Sequence, residues 1–338
     1  MINIKQIGNI KINKNIKNTK NIRNIYFDLN SKMMFRSVLR LGENTFVISL
    51  PKQWVEENGI NKGDQLNVRA REGEISFSLF EERTVGRAEI DLGNRSKSAC
   101  WKVIFAAYIK GYEEIVLKGI KDEQASLIEF ISNQLIGMTI SSKKEDTIIL
   151  RELSKGNEKE LEGIFRRIYL LGKDVVRVRI EALHQKDFET LNKTQEVDWT
   201  INKFVLFCLR IVNKSTELDS NEKIFYYTAL TKFEQIGDVF ADFFVKIGND
   251  KITLTSEEER ILKKIYGLIE ELSVIVYKPQ LDKILNTYEE RKKLEKECDI
   301  LNDNFIKAYF QWLLKEIGNL IEAVLPSCIE PKDRGRKY

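Results

Sequence analysis

The apolar positions of this chain follow three regimes. In the first, Thr45 to Leu50 forms a β-branched and aromatic run that Pro51 ends. A proline costs nothing in the first turn of a helix, where N–H groups lack partners anyway, so the pattern predicts a strand that stops where a helix starts. Lys52 to Asn58 gives about two turns, with Trp54 and Val55 on the apolar side and Gly59 able to take the left-handed conformation of a C-cap. Lys62-Gly63-Asp64 reads as a turn, and Leu66 to Ala70 and Ile75 to Leu79 alternate as strands joined across Glu72-Gly73. With a first strand carrying Arg36 and Arg40, this makes four short strands and one short helix, too little core for one chain alone. A dimer is expected.

The second regime, residues 84–153, mixes both periods. Ser96 to Lys110 has helical spacing through Trp101, Ile104, Phe105, Tyr108 and Ile109, and Gly111-Tyr112 ends it. Glu114 to Leu117 reads as a buried strand, Asp122 to Leu135 as a helix and Thr147 to Leu150 as another strand, a βαβαβ order. From Ser154 the third regime is helical to the end. Leu161, Ile164, Phe165, Ile168, Leu171, Val175 and Val178 repeat at three and four, and similar stripes run through 188–213, 222–247, 257–277, 281–301 and 305–325. Five or six antiparallel helices follow, with connections at Asp219-Ser220-Asn221, Gly248-Asn249-Asp250 and Pro279, and with Thr255 or Ser256 as a cap. The expected fold class is multi-domain α+β: a β head (33–82), a small α+β connecting domain (84–153) and an all-α bundle (154–328), between tails at 1–32 and 329–338.

Charge changes this picture mainly at the N-terminus. Residues 1–32 carry Lys5, Lys11, Lys14, Lys17, Lys20, Arg23 and Lys32 against Asp28, a charge of +6, so the formal +4 of the whole chain leaves −2 for the rest. The segment, built mostly from Asn, Ile and Lys, reads as a basic arm for nucleic acid, as a disordered low-complexity tail, or as sequence upstream of a start at Met33-Met34. The head is balanced: Arg36, Arg40, Lys52, Lys62, Arg69 and Arg71 meet Glu43, Glu56, Glu57, Asp64, Glu72 and Glu74. No apolar run is long enough to span a membrane and no signal-peptide core opens the chain, so a cytoplasmic protein is expected. Cys100, Cys208, Cys298 and Cys328 are widely spaced and read as buried thiols.

His184, in Glu181-Ala182-Leu183-His184, is the single histidine. One histidine cannot supply a di-iron bundle's paired E-x-x-H motifs and disfavours triad or zinc hydrolysis; phosphate-binding glycine loops do not occur either. An enzyme is not expected. The bundle does repeat itself: KFEQIGDVFADFF, from Lys232, aligns with LKEIGNLIEAVL, from Leu314, and Gln195 to Asp198 with Lys296 to Asp299. A duplicated three-helix unit is the reading.

Two resemblances sharpen these expectations. Arg36, Gly42, Val47, Ser49, Leu50, Pro51, Lys52, Trp54, Gly59, Lys62, Gly63 and Asp64 carry a pattern that resembles the AbrB (SpoVT/AbrB) swapped-hairpin family, whose members interleave two chains and bind DNA. This implies a homodimer with Arg36, Arg40 and Lys52 on DNA; a head used only for assembly is the alternative. Residues 155–326 are similar to the PhoU family, whose two three-helix repeats carry E/D-x-x-x-D motifs. Glu234/Asp238 and Glu295/Asp299 fit that motif, whereas Thr194/Asp198 lacks its first carboxylate and Lys315/Asn319 lacks both. AAYIKGYEEIVL and LIGMTI, within 106–140, resemble the segment that joins an AbrB-like head to a PhoU-like body in archaeal-type proteins. The resemblance implies a phosphate uptake regulator with a metal ion (Fe, Zn, Mg or Ca) on Asp198, Glu234, Asp238, Glu295 and Asp299, or else a solvated acidic face. Its implied partners are DNA and a phosphate ABC transporter or signalling protein.

Overall fold

A computed structural model describes residues 35–71, 74–79, 86–193 and 195–329. The readings of 1–32, Met33-Met34, Glu72-Gly73, Thr194 and the tail from 330 lie outside these residues. The chain divides after Phe80 into two compact units.

In the head, β1 (Leu39–Leu41) pairs antiparallel with β2 (Thr45–Val47) around Gly42, whose φ of 75° suits a residue without a side chain. β2 stops three residues short of the predicted Leu50 because β1 offers only three partners. Arg40 lies on β1, but Arg36 precedes it rather than sharing the strand. Pro51 caps α1 (Lys52–Glu57), and the Ile60 N–H closes the helix onto the Val55 carbonyl at 3.0 Å. Asp64 then accepts the Asn61 N–H at 2.7 Å, which fixes the turn into β3 (Leu66–Arg71) and its partner β4 (Glu74–Leu79). None of α1 is buried, and Phe35, Phe46 and Ile75 are 88%, 70% and 62% exposed. Among the described residues, the head has strands and a helix but no buried side chain.

The second unit opens with a four-stranded layer: β5 (Arg87–Asp91), α2 (Lys97–Lys110), β6 (Glu114–Lys118), α3 (Asp122–Ser132), β7 (Met138–Lys144) and β8 (Thr147–Glu152). Sheet order is β5-β6-β8-β7, with β5 and β6 parallel and the other pairs antiparallel. The βαβαβ expectation therefore misses one strand. β7 is an edge strand that passes through a bulge at Ile140/Ser142 and ends on Ser-Ser-Lys-Lys, so polar residues hide its alternation.

The bundle comprises α4 (Glu158–His184), a short α5 (Phe188–Lys193), α6 (Gln195–Lys214), α7 (Ser220–Asp250), α8 (Ser256–Ile275), α9 (Leu281–Asp299) and α10 (Asn304–Val324). Reciprocal capping boxes at Asn157/Glu160, Asp219/Glu222 and Thr255/Glu258 satisfy the free N–H groups that start α4, α7 and α8. Within the two triples, α4 packs on α6 and α8 on α9, while α4 meets α8 and α7 meets α10. Two of the three pairs of equivalent helices, α4 with α8 and α7 with α10, thus pack on each other. Gly172 on α4 allows the close approach of Phe233, which stacks on Tyr169 at 3.9 Å; a Cβ on Gly172 would stand 2.6 Å from the Phe233 ring.

Layer and bundle form one unit because α6 holds the end of α2. The buried Arg210 guanidinium donates to the Tyr108 carbonyl at 2.6 Å, to the Tyr112 carbonyl at 3.0 Å and to Glu152 at 2.7 Å, and Asn213 donates to the Ile109 carbonyl at 2.8 Å. Lys214 pairs with the same Glu152 at 2.8 Å. Burial alone would push the Glu152 carboxyl up, but hydrogen bonds from Lys214 and Arg210, with their charges, hold it below the usual carboxylate range. Its contribution to stability is therefore fully present above the unfolded carboxylate value and is lost as pH falls through the lower folded one. Replacing Arg210 by Met leaves Glu152 and two carbonyls, those of Tyr108 and Tyr112, short of a donor. The variant is expected to lose about 3–5 kcal/mol in urea denaturation at neutral pH, and to show a shallower loss of stability in acid than the wild type.

Candidate functional site

The head's three expected DNA-binding residues lie on its surface. Arg36 donates to the Phe35 carbonyl at 3.3 Å, and Arg40 reaches over its own turn to the carbonyls of Gly42 and Glu43 at 3.1 and 2.5 Å. Lys52, first in α1, pairs with Glu56 one turn later at 3.5 Å, and both side chains are exposed. Such a pair is worth little and is readily exchanged for another anion.

In the bundle, the structure brings together three of the five expected carboxylates. Asp198 on α6 and Glu234 and Asp238 on α7 line one cavity of about 40 Å³ with Gly172, Asn202 and Gly237. Glu234 and Asp238, one helical turn apart, share a hydrogen bond. The cavity has a cation already. Buried Arg179 donates to Asp198 at 2.6 Å, and its guanidinium lies 5.9 Å from the Phe244 ring centroid.

These surroundings set the protonation. Burial, and then the Asp238 charge, push Glu234 up to about 7 against the opposing pull of Lys102. Asp238 is raised by burial and by the charges of Asp242 and Asp198, and Asp198 is raised by burial despite Arg179. The Glu234–Asp238 pair thus holds a proton close to neutrality. That makes it a hydrogen-bonding platform with one donor and several acceptors.

The other two carboxylates stand elsewhere. Glu295, on α9, is paired with buried Arg291 at 2.5 Å and with Lys292 at 2.9 Å, while Asp299 accepts from Gln311 at 2.8 Å. Burial works against ionising Glu295, but Lys292 and Arg291 together hold it below the usual range. A hard cation needs several unencumbered oxygen ligands. Among the described residues, no three His, Cys, Asp or Glu side chains form a group able to hold one. Among the described residues, the five carboxylates do not come together as one set: Asp198, Glu234 and Asp238 share a cavity, and Glu295 and Asp299 have other partners.

Arg179 escaped the sequence reading although it left a trace there. It falls four residues after Val175 and four before Leu183, on the buried side of α4, and a cation in an apolar stripe signals a buried partner. His184 ends α4, is largely exposed and meets Glu259 at 3.3 Å, as a surface histidine at a helix C-terminus. Cys100, Cys208 and Cys298 are buried thiols, and burial pushes Cys208 and Cys298 up to about 12.

The head matches a described family. Residues 39–75 fit the model of MazE, a bacterial antitoxin family described by antidote-toxin recognition, so the head is similar to MazE and AbrB-like domains. The chain is also similar to the crystal structure of the phosphate transport system regulatory protein PhoU from Streptococcus pneumoniae, at 18% identity and a TM-score of 0.38, over 50% of this chain and 90% of that one. No curated protein matches the chain. Among the described residues, no helix is long and apolar enough to cross a membrane.

Two outcomes are expected here. Between the ordinary carboxylate value of 4.5 and about 7, folded Glu234 keeps a proton that the unfolded chain has lost, so stability falls as pH rises through that window. Glu234→Gln removes the effect: its Tm exceeds that of the wild type at pH 8 and approaches it at pH 5, and an offset equal at both values refutes the assignment. Added Mn²⁺ or Fe³⁺ leaves the Tm unchanged; a rise that Asp238→Ala abolishes would restore a carboxylate-held cation.

Proposed function

We propose that this chain is a non-enzymatic cytoplasmic regulator in which a dimeric AbrB/MazE-like head contacts DNA and a PhoU-like bundle receives the signal for phosphate uptake. The observation that carries it is the family match at 39–75 on a head whose apolar side chains stay exposed in a single chain. A second copy covers those side chains most simply by interleaving its own hairpins. The dimer then doubles each basic residue, so that Arg36, Arg40 and Lys52 of two heads supply six cations to phosphates. The phosphate role rests on the resemblance of the duplicated helical unit.

A second reading has an observation of its own. Lys52 is already paired with Glu56, and Arg40 is tied to its own turn. Those contacts favour a head that only assembles the protein, with the bundle docking on a phosphate transporter or its signalling partner.

Electrophoretic mobility shifts across salt concentrations separate the two readings. The DNA reading expects binding that weakens with salt, and expects an Arg36→Ala, Arg40→Ala, Lys52→Ala variant to lower the log–log salt slope by up to about five. Sedimentation equilibrium is expected to return a dimer. Absence of DNA binding by the dimer at low salt overturns the first reading and leaves the second.

A further inference from the structure

A cleft of about 1180 Å³ opens in the second unit between α2, α6 and α7. It shares Glu234 and Asp238 with the small carboxylate cavity, so the proton-holding pair forms part of its wall. Opposite stands α2, with Lys97, Trp101 and Lys102. Trp199 of α6 completes the aromatic part: its ring stacks on Trp101 at 5.5 Å and 24°, and Phe130 meets both indoles edge-on. This cluster is not closed off. Trp199 remains 36% exposed and Phe130 45%.

Two features of these walls need one ligand. Lys97 and Lys102 are exposed, and among the described residues neither makes an ion pair with a carboxylate, although Lys102 is near enough to Glu234 and Asp238 to favour their charged forms. Lys97 lies one turn before Trp101 on the same helix face, and Lys102, next along the helix, lines the same cleft. A simple inorganic anion would neutralise the lysines but leave the indoles wet and most of the volume empty. A purely apolar ligand would use the indoles but not the lysines. A flat aromatic ring joined to a phosphate within one molecule satisfies both, and a volume somewhat above that of most small-molecule sites admits it. The carboxyl pair adds acceptors suited to hydroxyl groups between ring and phosphate.

We infer that this cleft is a nucleotide site: the base lies against the Trp101–Trp199 stack, the phosphates against Lys97 and Lys102, and the sugar hydroxyls against Glu234 and Asp238. The site goes beyond the proposed DNA-binding role and stands whether or not the head touches DNA. It also gives the bundle an effector of defined chemistry.

Calorimetric and tryptophan-fluorescence titrations of the full chain at low salt, with ADP, adenosine and inorganic phosphate as probes, test it directly. ADP is expected to bind and to change the indole emission, with adenosine and phosphate each at least about tenfold weaker. A Lys97→Ala, Lys102→Ala variant, altered only at exposed positions, is expected to lose at least about tenfold in ADP affinity while leaving adenosine unaffected. Trp199→Phe, which keeps a ring, retains more ADP affinity than Trp199→Ala. No ADP binding at about 1 mM by a normally folded chain overturns the proposal. So does equal affinity for ADP and phosphate, which marks an anion patch, or an unaffected lysine variant. Tight displacement of ADP by a single-stranded oligonucleotide would make the cleft a nucleic-acid groove instead.

Discussion

A buried guanidinium must find acceptors wherever the chain can offer them, and Arg210 finds them at the C-terminal end of α2, where helix carbonyls lack intrahelical partners. That need fixes the second unit. With Glu152 and Lys214 completing the charge balance, the last turn of α2 is bound to α6, and the four-stranded layer is carried with it. Toward its other end, α2 meets α6 through the Trp101–Trp199 stack. The helix is thus held at a polar joint and an aromatic one, and the cleft is the space left along it.

Periodicity carried the fold well and the site poorly, for a physical reason. A repeat of three and four reports which face of a helix leaves water, and so α4, α6, α7, α8, α9 and α10 were all legible. It does not report which helix lies opposite. Glu234 and Asp238 share a face by spacing alone, but their meeting with Asp198, and the absence of Glu295 and Asp299 from that place, depends on how helices cross. The α4 stripe shows how little separates one reading from another: Val178, expected inside, is exposed, and Arg179, its neighbour, is buried, because the four-residue step from Val175 continues to 179. β7 was lost for the converse reason. An edge strand is free to be polar, so alternation does not mark it.

The head poses the opposite problem. Its local signals were nearly all legible, from the proline that opens α1 to the Asn61–Asp64 turn, since each depends on residues close in sequence. What local signals cannot supply is an interior. Phe46, Ile75 and their neighbours follow the alternation of a buried face and yet are exposed in the single chain.

The two halves of the bundle came from one pattern and now behave differently. In the second, Arg291 and Lys292 clamp Glu295 and hold its carboxyl below the usual carboxylate range. In the first, Arg179 pairs with Asp198, while burial and mutual charge raise Glu234 and Asp238 above the usual carboxylate range. A symmetric duplication has become a scaffold half and a titratable half, so a change in the surroundings can alter one side of the bundle while the other keeps its shape.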